Sequence, residues 1–413
     1  ALCLTLLPVS AFAASTTPKI TAIGENEKQS ISTSQSGSGW SYDAASTTLT
    51  LNGYNGGRIE IDVDAGQEFI LKLVGNNTVT ANGSDYGLKI NSARSGSGTD
   101  ASSDYMAFTI SAENSASLTV DGIYINGKVN FAIGGKADVM SVTTREDVRA
   151  LQGGDNGNCH VTIQENANVT LTSRNRTTQN SEALVIIKGN LNVNTTGNVT
   201  IDASQTGGPA IHVYGGSTFL SQVKEMIIRW SMGGYSLNLK SNITPYAENK
   251  GTENGYDTAI LHSAPYANVY VKSGKLKYLR LDTSWKKTGK FVKDDVITIS
   301  ADEPEHGKRF THWTWSWKGT DEITFTEGDA TSKTATIKIP DTTLLSSSRD
   351  LNFTANYENI PTTGVALNKP SLSLTIDNSE KLTATVAPSD ALQNVTWESN
   401  NTDVATVEAD GTV

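Results

Sequence analysis

The sequence predicts an all-β fold, led by an N-terminal β-solenoid in the form of a right-handed parallel β-helix. Three observations carry this. The polar share comes from Thr, Ser, Asn and Gly, with only 18% charged residues. β-Branched Thr favours the pleat, while Asn and Gly tolerate the positive φ of tight turns. Short alternating runs such as Ile59-Ile61-Val63 and Val161-Ile163 return after Gly/Asn/Asp turns, with no long helical pattern between them.

The chain opens on "ALCLTLLPVSAFAAS", an apolar run ending in Ala11-Phe12-Ala13, the small-x-small pattern of signal-peptide cleavage. Residues 1–13 read as a partial signal peptide that lacks the initiating Met and basic start, so an exported protein is expected. The run is too short to span a bilayer, and no later stretch reaches the ~20 apolar residues a crossing needs, so no membrane insertion of the mature chain is expected. Cleavage would remove Cys3 and leave Cys159 as one thiol, without an intrachain disulfide. The net charge of −10, from 33 basic and 43 acidic residues, argues against a nucleic-acid or anionic-membrane partner.

Residues 14–272 form the expected β-helical region. Phrases such as "RIEIDVDAGQEFILKLVGNNTVTA", "AFTISAENSASLTVDG" and "CHVTIQENANVTLTS" each supply one or two short strands with one apolar face. Successive coils burying a common interior would explain the recurrence, and a β-sandwich is the alternative that periodicity alone leaves open. "TTREDVRAL" (143 to 151) carries a helix start signal, and "FLSQVKEMIIRW" (219 to 230) fits a helix or another strand.

From 273 to 358 the texture shifts towards Lys and aromatic residues, with strands expected at "VITIS" (296 to 300), "TATIKIP" (334 to 340) and "LNFTANYE" (351 to 358). "NIPTTG" (359 to 364) reads as a linker, and 365–413 alternate strongly. In the last stretch Val365, Leu367, Leu372, Leu374, Leu382, Ala384, Val386, Pro388, Val395, Trp397, Ser399, Val404, Ala405, Val407, Gly411 and Val413 follow one line. That line resembles the bacterial immunoglobulin-like domain of group 2, which implies a partial Ig-like β-sandwich, truncated before the family's last strands. Ile297, Ile299 and Ala301, then Gly307, Phe310 and Trp313, then Phe353, Ala355 and Tyr357 resemble the small surface repeat related to internalin-type B-repeats, with Ile339-Pro340 at its turn. The stretch "GWSYDAASTTLTLNGYNGG" (39 to 57) is similar to the opening of β-helical regions in large surface proteins of gut Firmicutes, some of them labelled carbohydrate-binding.

Candidate chemistry is sparse. Glu60, Asp62 and Asp64 share one strand face in "IEIDVDAG"; Asp62 and Asp64 are the calcium candidates, and a solvated strand edge is the plainer reading. Calcium is thus the one possible cofactor. Arg145, Arg149, Arg174 and Arg176 are scattered, with no motif tying them to acids. "GGDNGN" (153 to 158) lacks the oxygen ligands of a calcium loop and reads as a Gly/Asn turn. The histidines at 160, 212, 262, 306 and 312 have no metal-ligand spacing. Cys159 and His160 would face opposite ways on a strand, so the thiol reads as a small buried apolar residue. No catalytic residue is assigned.

In "FTHWTWSWKG", Trp313, Trp315 and Trp317 fall on alternate positions and His312, Thr314 and Ser316 on the others. Trp313 coincides with the repeat's structural aromatic and is expected in the core, with Trp315 tending to the same face. Trp317, nearest the turn, is expected to be the most exposed, and Trp315 and Trp317 are the candidate ligand-binding residues. These features lead to an expected non-enzymatic binding or adhesion protein of a Gram-positive bacterium, extracellular or cell wall-associated. Its partner would be a glycan or a host or bacterial surface molecule, with the β-helical region binding and the C-terminal modules as spacers. A carbohydrate-active β-helix enzyme (a polysaccharide lyase or hydrolase) and a structural stalk are the alternatives.

Overall fold

The structure, a computed structural model, describes residues 18–23, 30–81, 83, 85–93, 105–145, 148–174, 182–206, 208–231, 234–235, 237, 246–263, 265–317, 319, 322–342 and 350–413. The expected signal segment 1–13 lies outside them. The described residues are all-β, with no helix, and none long and apolar enough to cross a membrane. Two compact units are present, divided at Pro265/Tyr266.

The first unit holds two sheets. A seven-stranded sheet runs in the order Lys19–Ile23, Ile59–Asp64, Leu88–Ala93, Ile123–Asn126, Leu151–Gly153, Leu184–Ile186, Ile211–Val213. Its first pair is antiparallel and every later pair is parallel and in register. The fourteen-stranded sheet has a parallel centre, in which Met106–Val120, Val129–Thr143 and Cys159–Glu165 are consecutive neighbours. At its end the antiparallel hairpin Tyr246–Glu253/Tyr256–Ser263 pairs with Thr218–Trp230. Side chains 30 residues apart in sequence meet, as Asn192 does Thr162.

Alternation decides which side of each strand is buried. Ile59, Ile61 and Val63 are buried, and Glu60, Asp62 and Asp64 face outward. Parallel register then stacks like on like. Phe69, Phe108 and Phe131 are paired directly across three strands, with centroids 5.6 and 5.8 Å apart and planes within 6° and 12° of parallel. Tyr42 extends the column at 5.9 Å. Ile59, Leu88, Ile123, Leu151, Leu184 and Ile211 form a matching buried line in the smaller sheet.

Two segments carry a helical reading at the level of sequence, and for 219–230 a strand is the equal alternative. Residues 219–230 belong to strand Thr218–Trp230, because Met226 and Ile228 point inward on the pleat while Ile227 faces the other way. In 143–151 the described residues outside the strands are irregular; the rest of that start signal, Glu146 and Asp147, lies outside the described set.

The second unit contains two four-stranded sheets, ordered Thr288–Phe291, Ala267–Lys272, Asp350–Asn359, Lys308–Trp317 and Gly274–Tyr278, Val296–Ala301, Thr334–Lys338, Thr324–Glu327. Strand Ala267–Lys272, which the sequence reading assigned to the first region, pairs in parallel with Asp350–Asn359, so the division falls before it. Trp313, Phe353, Phe291, Ile297, Ile299 and Ile337 are fully buried. In 361–413 one two-stranded sheet forms, Gly364–Leu367 with Ala384–Ala387, and Lys381 bridges to Thr412. Val365, Leu367, Leu374 and Val404 are exposed there, so those apolar positions have no opposing sheet within the stretch. Gly411, at φ +87°, packs its backbone against the Trp397 indole, where a Cβ would sit 2.9 Å from the ring.

Candidate functional site

The outward face of the seven-stranded sheet carries a row fixed by register. Glu60 stands opposite Lys89, Lys89 opposite Tyr124, Tyr124 opposite Gln152, Gln152 opposite Val185, and Val185 opposite His212. One residue pair along the strands, Asp62, Asn91 and Asn126 form a second row. These residues point outward because each is preceded and followed by buried apolar neighbours such as Ile123 and Ile125.

Polar side chains close over the middle of the face. Arg149 Nε donates to Glu182 Oε2 at 3.0 Å and its NH1 donates to Gln152 Oε1 at 2.7 Å. The Tyr86 hydroxyl also donates to Gln152 Oε1, at 2.7 Å. Asp155 Oδ2 accepts from Gln152 Nε2 and from the Tyr124 hydroxyl, both at 2.8 Å. Beneath this roof Val185 is 1% exposed although it stands on the outer side of its strand. Burial pushes the Tyr86 hydroxyl pKa up. Burial raises Tyr124 further, helped by the hydrogen bond to Asp155 and its charge. Both phenols are therefore held as neutral donors at ordinary pH.

Aromatic rings flank the roof on two sides. Tyr86 and Tyr124 lie 5.1 Å apart and tilted, with Lys89 Nζ 6.0 Å above the Tyr124 ring. Across the roof, His212 and Tyr214 stack at 3.5 Å, and Tyr214 is 55% exposed. Burial and the Glu182 charge raise the Tyr214 pKa.

The sequence-predicted acids sit at the start of this face. Asp62 and Asp64 are half-buried; Asp62 stands between Lys19 and Asn91 on the two flanking strands, whereas Asp64 pairs with Ala93 on one side only among the described residues. Arg58 holds Glu60 at 2.9 Å and Asp85 at 2.6 Å, and Lys89 lies 3.6 Å from both acids. Asn91 Nδ2 bridges Glu60 Oε1 (3.0 Å) and Asp62 Oδ1 (2.8 Å). Among the described residues no three His, Cys, Asp or Glu side chains are grouped for a metal ion. Asp155 of "GGDNGN" lies in a bend and joins the network described above.

The tryptophan row lies in the second unit. Trp313, Trp315 and Trp317 stand opposite Ala355, Phe353 and Leu351, all buried, so the three indoles share the core side of their strand. Trp313 is 1% exposed, and its Nε1 donates to Ser332 O at 3.0 Å. Exposure of the other two runs opposite to expectation: Trp315 is 41% exposed and Trp317 is half-buried. Lys308–Trp317 is the outermost strand of its sheet, and the Trp315 ring meets Phe325, edge-on at 5.6 Å, and Phe353 at 6.5 Å. Trp317 folds against Gly319, where a Cβ would lie 2.0 Å from its Nε1.

Cys159 is fully buried and His160 points outward, half-exposed against Tyr105 at 5.2 Å. Burial pushes the Cys159 thiol up to about 12 and pulls the His160 pKa down.

In the sequence Arg149 is one of several scattered arginines, His212 has no metal-ligand spacing, and nothing local marks Tyr124, Gln152 or Glu182, because only strand register brings these residues side by side. The comparisons with known proteins bear on the other end of the chain. No curated protein and no solved structure matches it. Bacterial Ig-like domains of group 2 occur in bacterial surface proteins, and residues 361–413 match the family model of the Bacterial Ig-like domain (group 2).

Proposed function

We propose that the chain is an exported surface protein of a Gram-positive bacterium whose first unit is a right-handed parallel β-solenoid that binds glycan without chemistry. The solenoid reading is supported by the in-register parallel ladders in both sheets, with consecutive chain segments as neighbours. The second unit and its Ig-like stretch then act as spacers that hold the first unit away from the cell.

One observation carries the binding reading: the row that runs from Lys89 and Tyr124 over the Arg149–Gln152–Glu182 roof to His212 and Tyr214. It offers apolar ring faces for the C–H face of a sugar and rigidly held donors and acceptors for its hydroxyls. The roof groups satisfy one another, so they are preorganised for contact and are not a general acid–base pair aimed at open space. Trp315 offers a second, isolated exposed ring in the other unit.

A glycan array probed with the full chain tests this, with Tyr214→Ala and Trp315→Ala alongside. Retained binding in Trp315→Ala and loss in Tyr214→Ala is expected. Array silence would return the protein to a structural stalk, and turnover of a bound polysaccharide would make it an enzyme.

A further inference from the structure

The row's spacing specifies the shape of its ligand. From Tyr124 to His212 the register counts three strand-to-strand steps, through Gln152 and Val185, which is ~14 Å at about 4.8 Å per step. An extended β-linked pyranose chain advances by close to one such step per ring. Sugars laid across the strands would therefore keep pace with them, one ring per strand. We propose that the row takes an extended, linear, non-acidic polysaccharide lying across the strands, with one ring on Tyr124 and another on the His212–Tyr214 pair. This rests on the reading of the row as a glycan site.

The groups between the two aromatic stations suit the intervening rings. Gln152, Arg149 and Glu182 present amide, guanidinium and carboxylate in fixed positions over Val185. A compact ligand would reach one station only. A chain of four rings spans from Tyr124 to His212, its two middle rings meeting the Gln152, Arg149 and Glu182 groups and not the buried Val185.

Charge selects against uronic acids. Arg58, Lys89 and Arg149 already hold Glu60, Asp85 and Glu182. Asp62 and Asp155 accept hydrogen bonds from neutral donors; Lys19 stands opposite Asp62 across the strands, and no cation makes an ion contact with Asp62, Asp64 or Asp155 among the described residues. The face thus keeps an excess of negative charge beside Tyr124, which repels a polyuronate and accepts a neutral or amino-bearing chain.

The test uses the full chain and β-1,4-linked oligomers of glucose, N-acetylglucosamine, mannose and xylose, with oligogalacturonate of equal lengths, measured by calorimetric titration. Affinity for at least one neutral series is expected to rise about tenfold between two rings and four and then level off. Tyr214→Ala, at an exposed position, should return the four-ring oligomer to the affinity of the two-ring one with an unchanged melt. Galacturonate should bind at least about tenfold more weakly at low salt. Equal affinity for two and four rings, or tighter binding of galacturonate, overturns the extended-chain inference. So does silence of every oligomer while a glycan of another shape binds the array; in both cases the glycan site itself stands. Silence of oligomers and array alike overturns both.

Discussion

Arg149 Nε lies 3.0 Å from Glu182 Oε2, and the two side chains keep only 12% and 10% of their surface in contact with solvent. They sit 33 residues apart in the chain, so their meeting ties together the segments that lead into the paired strands Leu151–Gly153 and Leu184–Ile186. Removing Glu182 takes away the carboxylate facing the Arg149 guanidinium in a nearly dry place, where the neutral Gln152 Oε1 is a weaker counterpart. Glu182→Leu should cost the first unit ~3 kcal/mol, whereas Arg149→Met with Glu182→Leu should recover much of that loss. Urea denaturation followed by circular dichroism would show it. Equal destabilisation by the single and double variants would mean the pair contributes through packing of its stems alone.

The Phe69–Phe108–Phe131 column supports a second expectation. Phe108 has a ring on each side and is fully buried. Truncation removes two ring contacts and opens a cavity that parallel neighbours cannot fill without leaving register. Phe108→Ala should therefore destabilise by ~3–5 kcal/mol, while Met140→Ala on an exposed outward position changes stability by less than about 0.5 kcal/mol. If the two variants melted alike, the column would not be a principal support of the unit.

Much of this interior was readable beforehand. Ile59-Ile61-Val63 and Val161-Ile163 alternate so regularly that their inner faces follow from the pleat alone, and the core position of Trp313 is what its coincidence with the structural aromatic of the resembling repeat implies. The outer row was not readable in the same way. Tyr124 and Gln152 are ordinary outward residues of two strands 28 positions apart, and nothing local says that they stand side by side. That is a matter of register, set by buried partners such as Ile123 and Leu151. The same limit hid the boundary at Pro265. Strand Ala267–Lys272 has the texture of what precedes it, and its partner Asp350 lies 82 residues from Asn268. The run 219–230 leaves helix and strand open because its apolar residues sit near helical spacing; it is a strand buried on both sides at Met226, Ile227 and Ile228.

The tryptophans separate core from contact. Trp313 is the largest fully buried side chain, and its indole nitrogen is satisfied by Ser332. Trp313→Ala should cost the second unit ~3–5 kcal/mol. Trp315→Ala loses part of its packing on Phe325 and Phe353 and should cost about 1 kcal/mol. Fluorescence-detected unfolding of the two variants gives the comparison, and equal losses would place Trp315 in the core despite its exposed ring.

Alkaline pH should unfold the first unit through groups that the fold keeps protonated. Burial raises the Cys159 thiol from its ordinary 9.0 to about 12, and burial likewise raises Tyr86 and Tyr124 above 10.0. The folded state holds these protons more tightly than the unfolded chain. Their contribution is therefore complete below pH 9 and declines as pH rises towards 12, by up to about 1.4 kcal/mol per pH unit for the fully buried thiol and by less for the partly solvated Tyr124. Cys159 begins the decline because its unfolded pKa is the lowest of the three. Cys159→Ala should accordingly delay the onset by about one pH unit, at the cost of a small cavity felt equally at all pH values. A thiol reagent at pH 8 should leave the native protein unlabelled and react at once in denaturant, since the thiolate is the reactive form and neither it nor the reagent has access inside the sheet stack. Rapid native labelling, or an onset that Cys159→Ala leaves in place, would remove the thiol from this account and assign the alkaline transition to the tyrosines of the outer row.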